Sequence, residues 1–197
     1  GTYQAAFLTT QEGVVLFDAP ASIGRNLQRA VDEIAAANGV SSKVTHLVYS
    51  HHHADHTAAS SLFGNNVVRI GHAETRRLLL RDNDPRRPPP DKTFTNHRKL
   101  QIGGERFELA WHGSNHAPDN SFIHFPDHNT LMLVDIVNAG WVPIYSLNLA
   151  VDVPGYIEAP ATALSYRGPQ SHRNRRIGLL SSAAHLSIST CAVVRGR

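Results

Sequence analysis

The run Ser50-His51-His52-His53-Ala54-Asp55-His56 puts four imidazoles and one carboxylate into six residues, in the pattern His-x-His-x-Asp-His. Imidazole nitrogen and carboxylate oxygen both suit a divalent ion such as zinc, at ligand distances of about 2.0–2.2 Å. The run follows the apolar stretch Val44-Thr45-His46-Leu47-Val48-Tyr49, which reads as a buried strand. Alternate residues of an extended segment face the same way. His51 and His53 are therefore predicted to converge on one ion while His52 points elsewhere. Where the chain turns toward the next helix, Asp55 and His56 can address a second ion beside the first. An affinity tag would sit at a terminus, and this run is internal. A solvated loop, or chance among 13 histidines, accounts poorly for an ordered spacing at a strand end.

Two further candidates lie downstream. His116 sits in the turn-rich segment Gly113-Ser114-Asn115-His116-Ala117-Pro118-Asp119-Asn120, between the strand-like runs Phe107–Trp111 and Phe122–Phe125. A loop between two strands can carry a ligand to a sheet edge. Asp135 closes the apolar run Leu131-Met132-Leu133-Val134. An acid at the end of a buried strand is costly unless it is paired or bound to metal. Alone, His116 reads as a loop histidine and Asp135 as a cap or ion-paired acid; beside the first cluster both become expected ligands.

His51-x-His53-x-Asp55-His56, then His116, then Asp135, resembles the metallo-β-lactamase fold superfamily. The phrases Gly13–Pro20, Tyr49-Ser50-His51, His116–Asn120 and Leu131–Asp135 carry the likeness, which covers roughly residues 3 to 159. The resemblance implies an α/β fold, a four-layer αβ/βα sandwich with metals at the sheet edge. It implies that His51, His53 and His116 hold a first metal, that Asp55 and His56 hold a second, and that Asp135 bridges them. The family usually adds a later histidine after two glycines, and no Gly-Gly-His occurs here. His185, after Ala183-Ala184, is the expected substitute; His172, in the turn-like Gly168–His172, is the other candidate.

The C-terminal part departs from the family. Six of the 19 basic residues and none of the 16 acidic ones lie after Glu158, so the first 158 residues are net −3 and the tail turns the total to +3. A basic interaction tail is one reading. The one adopted is a metallo-β-lactamase-like domain over 1–159, with 160–197 as a divergent basic segment of the same domain, its end altered or frame-shifted. That would leave the second metal site incomplete.

The elements that must position these residues alternate along the chain. Strands are predicted over Tyr3–Thr9 and Val14–Phe17. A helix over Ser22–Ala37 follows, from the spacing of Ile23, Leu27, Ala30, Val31 and Ile34, with Ser22 capping its start and Gly39 its end. The strand Val44–Tyr49 leads into the histidine run and a short helix. Then come a strand over Val67–Ile70, a helix near Ala73–Arg81, and strands over Phe94–Ile102, Phe107–Trp111, Phe122–Phe125 and Leu131–Val134. Asp84-Pro85-Arg86-Arg87-Pro88-Pro89-Pro90 breaks the pattern and reads as a surface loop.

Length, a hydrophobic fraction of 41% and a mean hydropathy of −0.26 fit one soluble domain with a sizeable core. No apolar stretch of about 18 residues predicts a membrane span. No signal peptide is visible, the single Cys191 allows no internal disulfide, and the compartment stays open. The start at Gly1, entering a strand at once, reads as trimmed.

The resemblance implies two close zinc ions per chain, with Fe or Mn as other metals. Such ions generate hydroxide near neutral pH. Asp55 is the expected catalytic residue, orienting that hydroxide and taking its proton. The substrate is a small molecule with an ester, lactone, amide, thioester or phosphoester bond. An iron-dependent oxidoreductase and a catalytically impaired metal-binding relative are the alternatives. Nucleic acid is not an expected partner, and the oligomeric state is left open. Trp141 and Tyr145 are candidate pocket residues, Asn120 a candidate oxyanion donor, and His72 and His112 packing or surface residues.

Overall fold

The structure is a computed structural model that describes residues 3–137, 147, 150–166, 178–180 and 191–195 of the chain. Eleven strands are described in two sheets. The first has the order β11-β1-β2-β3-β4-β5, from β1 (Gln4–Thr10), β2 (Gly13–Phe17), β3 (Val44–Val48), β4 (Val68–His72), β5 (Lys92–Phe94) and β11 (Cys191–Arg195). The second runs β10-β9-β8-β7-β6, from β6 (His97–Ile102), β7 (Glu105–Ala110), β8 (Phe122–Phe125), β9 (Thr130–Met132) and β10 (Gly178–Leu180). The α-helices among the described residues include α1 (Arg25–Ala37), α2 (Ala54–Thr57), α3 (Ala73–Asp82) and α4 (Val153–Leu164).

Strand β2 shows why two sheets stack. All five of its residues are buried, so both faces need cover. Val15 and Phe17 face the inter-sheet core with Val48, Ile70, Phe107, Ile123 and Phe125. Phe17 meets Phe107 and Phe125 edge-on, with ring centroids 5.2 and 4.8 Å apart. Val14 and Leu16 face the other way, onto Leu27 and Val31 of α1. On the far side, Phe122, Leu131 and Leu133 pack against Ala159 and Ala163 of α4. The order is helix, sheet, sheet, helix: the expected αβ/βα sandwich. No helix among the described residues is long and apolar enough to cross a membrane.

The departures from the sequence reading have local causes. Helix α1 starts at Arg25 after Gly24 at φ 53°, and no side chain caps it, so Ser22 does not serve as the cap. Gly39, just past the end, takes φ 66°, the left-handed geometry that closes many helices. The run Phe94–Ile102 is two strands in different sheets. Phe94, Leu100 and Ile102 all face the inter-sheet core, so apolar spacing continues across the crossing at Thr95-Asn96. The ladder of β9 ends at Met132, while Leu133 and Val134 stay buried beyond it. Helix α4 carries Pro160 in its interior and runs through position 159.

Strands β2, β3 and β4 are parallel, so their C-terminal ends share one edge. Crevices at such ends are where open α/β sheets place ligands. The β7–β8 loop and the residues after β9 reach the same edge.

Candidate metal centre

Residues 51–53 leave β3 as a short extended turn, and His53 sits at the N-cap of α2 in extended backbone. The Thr57 hydroxyl donates to the His53 carbonyl at 2.8 Å, holding the turn against the helix. His51 and His53 therefore face each other, with ring centroids 4.5 Å apart, and α2 brings His56 to 4.8 Å from His51. His52 points away, its Nδ1 2.8 Å from the buried carboxylate of Asp119.

Two long-range arrivals complete the cluster. His116 enters from the β7–β8 loop, its Nε2 3.1 Å from His53 Nδ1 although 63 residues separate them. Asp135 enters after β9 in left-handed backbone, φ 57°. Its Oδ2 lies 2.9 Å from His56 Nε2, 3.3 Å from His116 Nε2 and 3.8 Å from His51 Nε2. Two groups of possible ligand atoms result: His51, His53, His116 and Asp135, and Asp55, His56 and Asp135. Asp55 Oδ2 stands 3.7 Å from His56 Nε2 on a side chain 45% exposed, so it faces the open side.

These residues fit a divalent ion. Two atoms bound at about 2.1 Å to one tetrahedral ion stand roughly 3.4 Å apart, close to the separations of 3.1 and 3.3 Å found here. His51 Nε2 is buried and has no hydrogen-bond partner, as a ligand atom facing an ion would be. Burial, then the neighbouring imidazoles, push His51 well below the ordinary histidine value; the same causes lower His53 to about 4. Burial also lowers His116. The three are neutral near pH 7, the form that coordinates. His56 differs. Burial opposes its charge, but the bond to Asp135 and the charges of Asp135, Asp18 and Asp55 prevail and raise it to about 9. In the protein alone, a proton on His56 thus takes the place a cation would fill.

Residues that the sequence reading passed over support the cluster. Asp18 ends β2, is fully buried and has φ 60°. It accepts from the Ser50 amide at 2.8 Å and the Ser50 hydroxyl at 2.7 Å, and Ser50 Oγ lies 2.9 Å from His51 Nδ1. That chain orients the His51 ring. Burial raises the Asp18 carboxyl to about 6 even though His56 pulls the other way. An acid closing the apolar run Val14–Phe17 was its signal in the sequence. The Tyr3 ring stands edge-on to His56 at 5.3 Å, a neighbour that nothing in the local pattern announces.

Asn120 is buried and donates to the Val134 carbonyl at 2.9 Å, steadying the approach to Asp135. His72 stacks on Trp111 and caps α3, and His112 meets the Tyr166 hydroxyl at 2.8 Å; both are packing residues. His185, His172, Trp141 and Tyr145 lie outside the described residues.

A sequence profile described as "Metallo-beta-lactamase superfamily" matches residues 3–167. The chain is 27% identical over 137 residues to "Metallo-beta-lactamase type 2" of Elizabethkingia meningoseptica, covering 69% of this chain and 53% of that protein. It is 31% identical over 126 residues to "Metallo-beta-lactamase IND-1" of Chryseobacterium indologenes, covering 64% and 50%. It is 29% identical over 103 residues to "2,4-dinitroanisole O-demethylase subunit alpha" of Nocardioides sp. (strain JS1661), covering 51% and 31%. The chain thus spans about half the length of these relatives, or less. Among solved structures, metallo-beta-lactamase IND-7 superposes with a TM-score of 0.68 at 24% identity, over 82% of this chain and 72% of that one.

Proposed function

Since the chain belongs to the metallo-beta-lactamase superfamily, we propose that it is a metal-dependent hydrolase acting on a small molecule with an amide, lactone, ester, thioester or phosphoester bond. His51, His53 and His116 would hold one zinc ion and Asp55 and His56 a second, with Asp135 available to both groups. The observation that carries this is the reach of Asp135 Oδ2 to three separate imidazole nitrogens, which joins the two ligand groups into one centre. A ligand set of nitrogen and oxygen alone suits zinc. His185 is proposed as a further ligand of the second ion, and 160–197 as a segment of the same domain; the pairing of β10 with β9 and of β11 with β1 supports the latter.

Ions bound there would supply a water-derived nucleophile near neutral pH and draw charge from the bond under attack. The protein's own contribution is placement. Asp55, on the open side, can accept a proton at its carboxylate, and Asp18 and Ser50 keep the His51 ring aimed. Neutral His51, His53 and His116 leave ring nitrogens free to coordinate. Two of the relatives carry the name of β-lactam-hydrolysing enzymes, so a β-lactam is the first amide to try.

The test pairs metal content, measured by mass spectrometry on protein purified without chelator, with turnover of a chromogenic cephalosporin, an aryl ester, a lactone, a thioester and an aryl phosphodiester. About two zinc ions per chain and turnover in one class are expected. Asp55→Asn should lower that rate by about 10²–10⁴-fold while the fold is kept. A chain that holds no metal, or an Asp55→Asn rate equal to wild type, would refute the reading.

A further inference from the structure

The segment between α3 and β5 is irregular and lies at the surface, as the sequence predicts, but one of its side chains reaches the histidine run. That side chain belongs to Arg87 and is only 11% exposed. Its Nη2 lies 3.2 Å from an Asp82 carboxylate oxygen and its Nε 3.2 Å from one of Asp84. The remaining nitrogen, Nη1, donates to the backbone carbonyl of His52 at 3.0 Å. The ring of the same residue is held by Asp119, whose other oxygen accepts from the Thr75 hydroxyl at 2.7 Å. Thr75 and Asp82 lie near the two ends of α3. His52 is thus gripped twice, at its carbonyl and at its ring, and both grips lead back to one helix. The residue between His51 and His53 is the one that the ligand pattern leaves unused.

We propose that Arg87 is a positioning residue of the metal centre: held by Asp82 and Asp84, it fixes the His52 carbonyl and so sets the angle between His51 and His53. This rests on the metal-binding reading above. A guanidinium suits the task because its planar fork serves three acceptors in fixed directions. A freely moving His52 carbonyl would let the peptide on either side rotate and swing both flanking rings. Elsewhere the segment is held by Tyr49, whose hydroxyl donates to the Pro88 carbonyl at 2.7 Å without touching the histidine run. The two anchors can therefore be separated.

The experiment compares the full chain with Arg87→Met and Tyr49→Phe. Each is loaded with cobalt(II) for its visible spectrum, and its zinc affinity is taken by competition with a chromophoric chelator. Arg87→Met is expected to bind zinc about 10-fold more weakly and to shift the cobalt bands. Tyr49→Phe should lower the melting temperature but keep both readings. Wild-type affinity and spectrum in Arg87→Met overturn the proposal, as does an equal spectral change in Tyr49→Phe, which would assign the effect to packing. If Arg87→Met does not fold, Arg87→Lys is read instead, since a compact ammonium keeps the charge but not the planar fork that spreads its donors over two carboxylates and the carbonyl. An unmutated chain that takes up no cobalt would count against the metal-binding reading itself, a separate outcome.

Discussion

At the residue scale, His56 behaves unlike its neighbours because three carboxylates surround it. Its value of about 9 lies above that of an unfolded histidine, about 6.5. The ion pair with Asp135 therefore stabilises the metal-free fold fully below pH 6.5, and that contribution is lost as pH rises through about 9. Melting curves of chelator-treated protein between pH 7 and 10 should show a falling melting temperature; a flat profile would remove the pair. Asp18 acts through Ser50 rather than directly. Asp18→Ala frees the Ser50 hydroxyl and the His51 ring, and is expected to weaken metal binding by about 10–100-fold, measurable by chelator competition. The left-handed backbone at Asp18 and Asp135 marks both as positions where geometry overrides local preference.

At the element scale, α4 and the His116 loop depend on each other. The Asp152 amide donates to the Asn115 carbonyl at 3.1 Å and the Val151 amide to the His116 carbonyl at 3.3 Å. A Cβ on Gly155 would stand 2.1 Å from the Ser114 carbonyl oxygen, so the helix can approach this closely only with glycine there. Gly155→Ala should cost about 1–3 kcal/mol, read by denaturant unfolding, and should weaken binding of the metal that His116 is proposed to hold. A wild-type midpoint would show that the helix can shift freely. In the inter-sheet core, Phe17→Ala removes a ring wedged between Phe107 and Phe125. It is expected to cost about 3–5 kcal/mol.

At the scale of the whole molecule, the centre draws its residues from both sheets. His51, His53, Asp55 and His56 follow a strand of the first, while His116 and Asp135 follow strands of the second. Ions bound there would tie the two layers together and bind only the folded chain. A ligand present at 100 times its dissociation constant adds about 2.7 kcal/mol. Removing metal with chelator should therefore lower the melting temperature by several degrees, and adding zinc back should restore it. The same two-sheet origin means that a substitution deep in the inter-sheet core is also expected to reduce metal content.

What the sequence determined by itself was local. Alternation along a strand, followed by one helical turn, dictates that His51 and His53 face each other, that His52 faces away and that His56 returns to them. The fully apolar β2 likewise announces a strand covered on both sides. Beyond such spans, spacing loses its hold. Phe94–Ile102 reads as one strand because both halves face the same core, and only their pairing partners divide it. Proline 160 hides a helix, since a breaker in the pattern can be tolerated once packing holds the rest. The meeting of His53 with His116, the support of His51 by Asp18, and the reach of Arg87 to His52 join residues far apart in the chain. Only the stacking of two sheets with a shared edge brings them within hydrogen-bond distance, because periodicity tells which way a side chain points but not what stands opposite it.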